Sequence, residues 1–144
     1  MSALVKGWYI GVVRMSVFQI DKSELDLLLE LANKEFDNLI ESLNLISDVG
    51  LPIESTRYST FELTLFAAMA SALIQTAQSG FEKLEQKKSS KSIELIAEKD
   101  QRTFFVKEIA GKAEKVIILL MCHSNADIKT IGQFIEEKIK QKLH

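Results

Sequence analysis

A tight turn that leads at once into a long helix is the feature that most restricts how this chain can fold. Apolar residues run up to Asp48, and Gly50 then supplies the positive φ that a sharp reversal of the backbone needs. Pro52 begins a second extended segment. Ser59 is followed three residues later by Glu62, which is the signature of a capping box at a helix start. The sequence therefore predicts a hairpin that passes directly into a helix, an order found in few small domains.

The rest of the chain predicts two further helices and three further strands. A first helix, capped by Asp21 or Ser23, is expected to reach about Leu43 because its apolar residues recur at helical spacing. Short links between the later strands indicate an antiparallel sheet. The resulting order, α-β-β-α-β-β-β-α, is that of a layered α/β domain whose helices cover the sheet. The expected bounds after the hairpin are about Thr60–Leu84 for the second helix, Ser92–Glu98, Thr103–Ile109 and Val116–Cys122 for the strands, and a last helix that Ser124 or Asn125 caps.

Length and composition exclude several classes of protein. The 144 residues suffice for one domain, and the formal net charge of -2 gives no electrostatic case for binding nucleic acid. The apolar N-terminal run is too short for a membrane span and makes a poor signal peptide, because Arg14 interrupts it. Together with the single cysteine, Cys122, this favours a cytoplasmic protein with no integral membrane segment. We divide the chain into an N-terminal extended arm or extra strand, residues 1–21, and a domain of residues 22–144.

The second helix carries two apolar faces. The first face is enough to cover a sheet, and a surface helix needs no second apolar stripe. We expect the second stripe to form a homodimer interface, because contiguous exposed apolar patches mark interaction sites. The alternative is that the N-terminal arm or a neighbouring helix covers it within one chain. The first face holds Leu63, Phe66, Ala67, Ala70, Leu73, Ile74, Ala77, Phe81 and Leu84, and the second stripe holds Phe61, Leu65, Ala68, Met69, Ala72, Thr76 and Ser79.

No arrangement of residues in the chain predicts catalysis or cofactor binding. Cys122 and His123 are adjacent on a predicted strand, so their side chains point to opposite faces and make a poor nucleophile–base pair. Neither metal-ligand spacing nor a complete phosphate-binding loop is present. The lysines among residues 87–91 are expected to be solvated. We therefore expect a protein that is not an enzyme and that uses no cofactor or metal.

Several segments of the chain resemble a known family. The runs SLNLISDVGLPIES, FELTLFAAMASALIQTA, SIELIAEK, FFVKEI, KVIILLMCH and ADIKTIGQFIEEKIKQKL are together similar to a roadblock (dynein light chain) domain, over about residues 22–143. The resemblance implies a five-stranded antiparallel sheet with the second helix on one face and the first and last helices on the other. It also implies a homodimer in which the second helices and the edge strand after them pair across a two-fold axis, which adds Ile93 and Leu95 to the interface.

The same resemblance implies a function as an adaptor or regulator that binds a small Ras-like GTPase. None of Arg14, Arg57 and Arg102 has a sequence context that marks it as an arginine finger. The alternatives are a longin-like trafficking module and a profilin-like actin-binding domain. A profilin-like protein is expected to be a monomer, so the second apolar stripe argues against it. An enzyme or a small-ligand sensor is the weakest interpretation, because no convergent polar groups occur.

Overall fold

Five strands and three helices form in the order that the sequence predicts. The structure is a computed structural model, and it describes residues 20–86, 92–111 and 113–142. The N-terminal arm lies almost entirely outside the described residues, so its role as an arm or extra strand stays a prediction. The elements are α1 (Lys22–Glu35), β1 (Ile40–Ser47), β2 (Pro52–Ser55), α2 (Thr60–Glu85), β3 (Glu94–Lys99), β4 (Arg102–Ala110), β5 (Lys115–His123) and α3 (Ile128–Lys140).

The sheet is antiparallel throughout and is covered by helices on both faces. Its strand order is β2-β1-β5-β4-β3, so β5 lies at the centre. α2 packs on one face over a core that includes Leu63 and Ile117. α1 and α3 pack on the other face over a core that includes Phe105 and Leu120. Because both faces are covered, β5 is buried almost along its whole length, and the predicted layers are confirmed.

The first helix ends earlier than the sequence predicts. The expectation of a helix up to Leu43 is wrong, because the residues from Ile40 onward form β1. Asp37 and Asn38 both have a φ of 58°, a left-handed conformation in which an α-helix cannot continue. The side chain of Asn33 holds the new direction of the chain. Its Oδ1 accepts a hydrogen bond from the Ile40 N–H at 2.9 Å, and its Nδ2 donates to the Ile40 carbonyl at 3.1 Å.

Reciprocal side-chain caps fix the start of the first two helices. Asp21 accepts a hydrogen bond from the Glu24 N–H at 2.8 Å, and the Glu24 carboxylate accepts one from the Asp21 N–H at 3.2 Å. The Glu24 N–H, followed by the Ser23 hydroxyl, lowers the pKa of Asp21. Ser59 and Glu62 form the same reciprocal pair before α2. Both predicted capping sites are therefore confirmed.

The last helix starts later than the sequence predicts. Asp127 caps it, since its carboxylate accepts from the Thr130 N–H at 3.4 Å and from the Thr130 hydroxyl at 2.8 Å. The expected caps, Ser124 and Asn125, instead belong to a turn in which the Ala126 N–H donates to the carbonyl of the last β5 residue. Because these residues form the turn, they cannot also form the start of the helix.

A glycine lets α3 lie close to the sheet. A Cβ atom added to Gly132 would lie 2.6 and 2.7 Å from two ring carbons of Phe105 on β4. Phe105 is itself 1% exposed, so its ring is enclosed by the core. Gly132 is thus required by close packing, since any side chain would overlap the ring.

A buried hydrogen-bond network lies beneath the loop that leads into α2. Asn44 donates through Nδ2 to the Leu119 carbonyl at 3.0 Å, and its Oδ1 accepts from the Ser55 hydroxyl at 2.6 Å. The same hydroxyl oxygen accepts from the N–H groups of Arg57 and Tyr58, at 3.0 and 2.8 Å. The network satisfies these buried polar atoms and fixes the backbone between β2 and α2.

The sheet-facing side of α2 is buried over only part of the helix. Leu73, Phe81 and Leu84, which the sequence places on that face, are 50, 53 and 81% exposed. For these three residues the prediction is wrong. Phe81 and Leu84 follow the last buried position of the helix, and Leu73 lies about 100° around the helix from Ile74. The buried residues of α2 are Leu63, Ala67, Ala70, Ser71 and Ile74.

Candidate interaction surface

One side of α2 is apolar and exposed. Phe61, Leu65 and Met69 are 77, 64 and 57% exposed, although they belong to one long apolar stripe. Leu73 joins them, which the sequence did not indicate because the helical wheel places it at the border of the sheet-facing side. We name this surface the α2 stripe, formed by Phe61, Leu65, Ala68, Met69, Ala72, Leu73 and Thr76, all of them exposed. The alternative of cover by the N-terminal arm involves residues outside the described part of the chain.

Two members of the α2 stripe, Met69 and Leu73, lie on the β3 side of the helix. The Ser71 hydroxyl donates to the Asp48 carbonyl at 3.1 Å, so this flank of α2 faces the turn between β1 and β2. Met69 and Leu73 each lie two residues from Ser71, which places them about 160° around the helix from it. They therefore lie on the flank nearer β4 and β3, at the other end of the strand order.

β3 forms one edge of the sheet and is paired on one side only within the described residues. Asp100 and Gln101, with φ of 53° and 63°, make the two-residue turn into β4, so Lys99 and Arg102 are the closing pair. Hydrogen-bonded and non-hydrogen-bonded pairs alternate from that point along an antiparallel ladder. The backbone groups that consequently point away from β4 are those of Glu94, Ile96 and Glu98.

Apolar side chains flank this edge on both faces of the sheet. Ile93 and Leu95, the two interface residues predicted after α2, are half-buried. Leu95 packs against the core beneath α2, where Val106 lies opposite it on β4. Ile96 points to the other face and is 40% exposed. The edge strand and the Met69 and Leu73 flank of the α2 stripe thus present apolar surface on the same side of the domain.

The residues with reactive side chains do not come together. Cys122 is buried, and burial, with a smaller effect of the Glu41 carboxylate, raises the pKa of its thiol to about 12. His123 lies next on β5 and faces the other way, and its Nδ1 accepts from the Asn125 N–H at 3.2 Å. Within the ranges that the structure describes, no group of three His, Cys, Asp or Glu residues could hold a metal ion. The Lys87–Lys91 cluster lies outside those ranges.

α2 is long and apolar enough to cross a membrane by length and composition. It has 26 residues, and its most apolar stretch has a mean hydropathy of 1.2. A core helix of a globular domain passes the same test. Here Leu63, Ala67 and Ile74 bury one face of α2 against the sheet, and Ser59 caps its first turn. The α2 stripe lies within the exposed remainder of the helix.

This architecture defines a class of domain. An antiparallel five-stranded sheet in this strand order, with α2 alone on one face and α1 with α3 on the other, is the fold of a roadblock/LC7 domain. The chain has this fold, which confirms the resemblance of its sequence at the level of the fold. No protein-family model and no curated protein matches the sequence.

Particular solved structures share the fold over most of their length. A roadblock/LC7 domain from Streptomyces avermitilis is 21% identical, with 81% of this chain and 92% of that chain covered at a TM-score of 0.63. The gliding protein MglB from Thermus thermophilus is 18% identical, with 91% and 98% covered at a TM-score of 0.65. An MglB with a tetrameric arrangement is 16% identical, with 91% and 97% covered at a TM-score of 0.66. At these identities the likeness concerns the fold.

Proposed function

We propose that this protein is a non-enzymatic, cytoplasmic, homodimeric adaptor or regulator that binds a small Ras-like GTPase. The observation that carries the proposal is the exposed α2 stripe on a roadblock fold. The roadblock resemblance of the sequence implies the GTPase partner. Two of the similar structures are MglB proteins, one of them in a tetrameric arrangement, which supports self-association of this fold.

The dimer uses the α2 stripe and the β3 edge together. Large apolar side chains left in water along one helix flank favour association, because their burial removes apolar surface from solvent. The neighbouring strand edge offers backbone donors and acceptors to a second copy of itself. Since Met69 and Leu73 lie on the flank nearer β3, one two-fold axis beside that edge brings both surfaces into contact.

The charges on β3 disfavour one of the registers in which two copies can pair. Three antiparallel registers near the middle of β3 let the outward backbone groups bond, with the axis at Leu95, Ile96 or Ala97. With Ile96 on the axis, each Glu94 lies opposite Glu98 of the second copy. Like charges directly opposite each other destabilise a sheet, so this register is disfavoured.

Apolar pairing selects between the remaining two registers. With Ala97 on the axis, Leu95 lies opposite Lys99 of the second copy. With Leu95 on the axis, Ile93 lies opposite Ala97, so the apolar side chains on the α2 face align with one another. The proposed dimer therefore places Leu95 on the two-fold axis.

Disulfide cross-linking tests this register. A non-hydrogen-bonded antiparallel pair has Cα atoms about 4.5 Å apart, within disulfide range, so Leu95→Cys is expected to give a covalent dimer on oxidation. Ile96→Cys is the matched control, because its two Cα atoms are then about 8 Å apart and cannot be bridged. The buried Cys122 thiol stays in all variants, and the unmutated chain measures its background. Cross-linking of Ile96→Cys alone, or of neither variant, contradicts the register with Leu95 on the axis.

Charge insertion tests the α2 stripe. Ala72→Glu places an unpaired carboxylate against a second copy, which costs about 3–5 kcal/mol when the charge cannot reach water. Light scattering is expected to show a dimer for the unmutated chain and a monomer for Ala72→Glu. Ala113→Glu adds the same charge in the exposed turn before β5 and is expected to leave the dimer intact. A soluble monomer of the unmutated chain at micromolar concentration overturns the dimer.

Calorimetry tests the GTPase partner. Small Ras-like GTPases from the same cell are titrated in GDP and GTP-analogue forms, and one is expected to bind with a Kd below about 100 μM. Binding is expected to weaken with Ala72→Glu, since a platform built by two protomers offers more contiguous area than one chain. A dependence on nucleotide is expected where the contact reaches the switch segments. Binding of actin or a trafficking protein, with no GTPase bound, replaces the proposal by the profilin-like or longin-like alternative.

A further inference from the structure

Two arginines that are far apart in the sequence converge on one carboxylate near the start of α2. Arg57 lies in the loop before α2, Arg102 begins β4, and Glu41 lies on β1. The Arg102 Nε is 3.0 Å from Glu41 Oε1, and the Arg57 Nη1 is 3.5 Å from the same oxygen. One negative charge between two positive charges leaves a local positive surplus, in a chain whose net charge is -2.

The backbone holds each member of this cluster in place. Glu41 lies where the register of β1 against β5 shifts, an irregularity that redirects a side chain. The Arg57 N–H donates to the buried Ser55 hydroxyl oxygen, and the Arg57 guanidinium carbon lies 5.6 Å from the centre of the Tyr58 ring. Arg102 is held by the tight turn that precedes β4. The two guanidinium groups are therefore positioned before any partner arrives.

Glu41 uses few of the donors that the two arginines offer. Its hydrogen bond is donated by the Arg102 Nε to Oε2 at 3.3 Å. In the part of the chain that the structure describes, the buried Oε1 accepts no aligned hydrogen bond despite the two nearby guanidiniums. Each guanidinium carries five N–H donors, and the Arg57 and Arg102 side chains are 50 and 45% exposed. Both can pair with a second anion from solution.

We infer that Arg57 and Arg102 bind acidic side chains of a protein partner that docks beside the start of α2. Arg57 lies three residues before the first residue of α2, so the arginine pair is at the start of that helix. Arginine is enriched in the energetic centre of protein interfaces. Guanidinium groups pair with carboxylates through two parallel hydrogen bonds. This inference rests on the proposed function in one respect, that the chain acts by binding another protein.

The local geometry favours a carboxylate over a phosphate. Phosphate groups bind the unsatisfied N–H groups at a helix start. At the start of α2 the Glu62 N–H donates to the Ser59 hydroxyl oxygen, and the Glu62 carboxylate accepts from the Ser59 N–H. The capping box therefore places a negative carboxylate at the helix start, which disfavours a phosphate there. The open, half-exposed arginine pair suits an acidic side chain carried on the surface of another protein.

Nuclear magnetic resonance of the arginine side chains tests the inference without any GTPase. The ¹⁵N-labelled full chain is titrated with a capped peptide of sequence Asp-Glu-Leu-Phe-Glu-Asp and, separately, with inorganic pyrophosphate. The Nε–Hε signals of Arg57 and Arg102 are expected to shift saturably with the peptide, and more weakly with pyrophosphate. Affinity is expected to fall about tenfold in the Arg57→Gln/Arg102→Gln variant, and to fall with added salt.

A matched control separates this site from general charge effects. Lys129→Gln removes one positive charge from the exposed side of α3, on the opposite face of the sheet, and is expected to leave peptide affinity unchanged. A loss of peptide affinity in Lys129→Gln equal to that in the double arginine variant overturns the inference. Tighter binding of pyrophosphate than of the peptide overturns it as well. Arginine signals that do not move mean that the cluster is a surface ion pair only. Since the titration contains no GTPase, it can succeed or fail independently of the GTPase proposal.

Discussion

Replacing Gly132 by alanine is expected to destabilise the protein, although alanine is the better helix former. The new Cβ would lie 2.6, 2.7 and 3.1 Å from three ring carbons of Phe105. Phe105 is 1% exposed, so the ring cannot swing into solvent and the core must shift. Overpacking costs about 1–3 kcal/mol, and contacts this short belong in the upper part of that range. After a gain of about 1 kcal/mol in helix propensity, the free energy of unfolding should fall by about 1–2 kcal/mol.

The same substitution elsewhere in the chain provides the control. A Cβ on Gly80 of α2 would have nothing within 4 Å, so Gly80→Ala is expected to raise the free energy of unfolding by about 0.5–1 kcal/mol. Urea unfolding at one fixed protein concentration measures both variants, because association contributes to apparent stability. Phe105→Leu should cost less in the Gly132→Ala background than in the native one. If Gly132→Ala stabilised the protein as Gly80→Ala does, the argument from close packing would be refuted.

Three further outcomes are expected. Gln101→Gly should stabilise the protein by about 0.5–1 kcal/mol in thermal unfolding, because Gln101 has a φ of 63° that glycine adopts without strain. Burial raises the pKa of Glu136, but hydrogen bonds from Lys107 and Lys140 outweigh that effect, so its pKa is lowered. These interactions therefore stabilise the protein at neutral pH, and their contribution is lost as the pH falls below about 4. Glu136→Gln should therefore flatten the acid side of a stability-against-pH curve measured by urea unfolding, and an unchanged curve would contradict that role. The Cys122 thiol, with its pKa raised to about 12 by burial, should react with Ellman's reagent at neutral pH only after denaturant is added.

The boundary between α1 and β1 shows what apolar periodicity does not decide. Ile40 and Leu43 continue the helical spacing of α1, yet they lie in a strand between two others. Residues of such a strand are buried whichever way they point, so β1 lacks simple alternation and even buries Ser42 and Asn44. The break depends on a side-chain contact of Asn33 that no local pattern signals. The capping boxes were predictable, because both partners lie within one helical turn.

The two candidate surfaces also differ in whether local sequence patterns can predict them. Helical geometry alone places Phe61, Leu65 and Met69 on one face, so the sequence predicts the α2 stripe. The arginine cluster was not predictable, since Arg102 and Glu41 are 61 residues apart and meet only because of the strand order. The length of α2 that packs on the sheet also depends on tertiary structure, since the apolar pattern of the helix continues past Ile74, its last buried residue.

That extension gives the two ends of α2 different local stabilities. No residue of α2 after Ile74 is buried in the described structure, and the remaining eleven residues span about 16 Å. A helical segment that packs against little opens by local fluctuations, with a free energy well below that of global unfolding. Amide hydrogens from about residue 78 onward should therefore exchange quickly when the chain is alone. Any partner that seats on this end of the helix will slow their exchange, so these amides report directly on assembly while the first half of α2 reports on the fold.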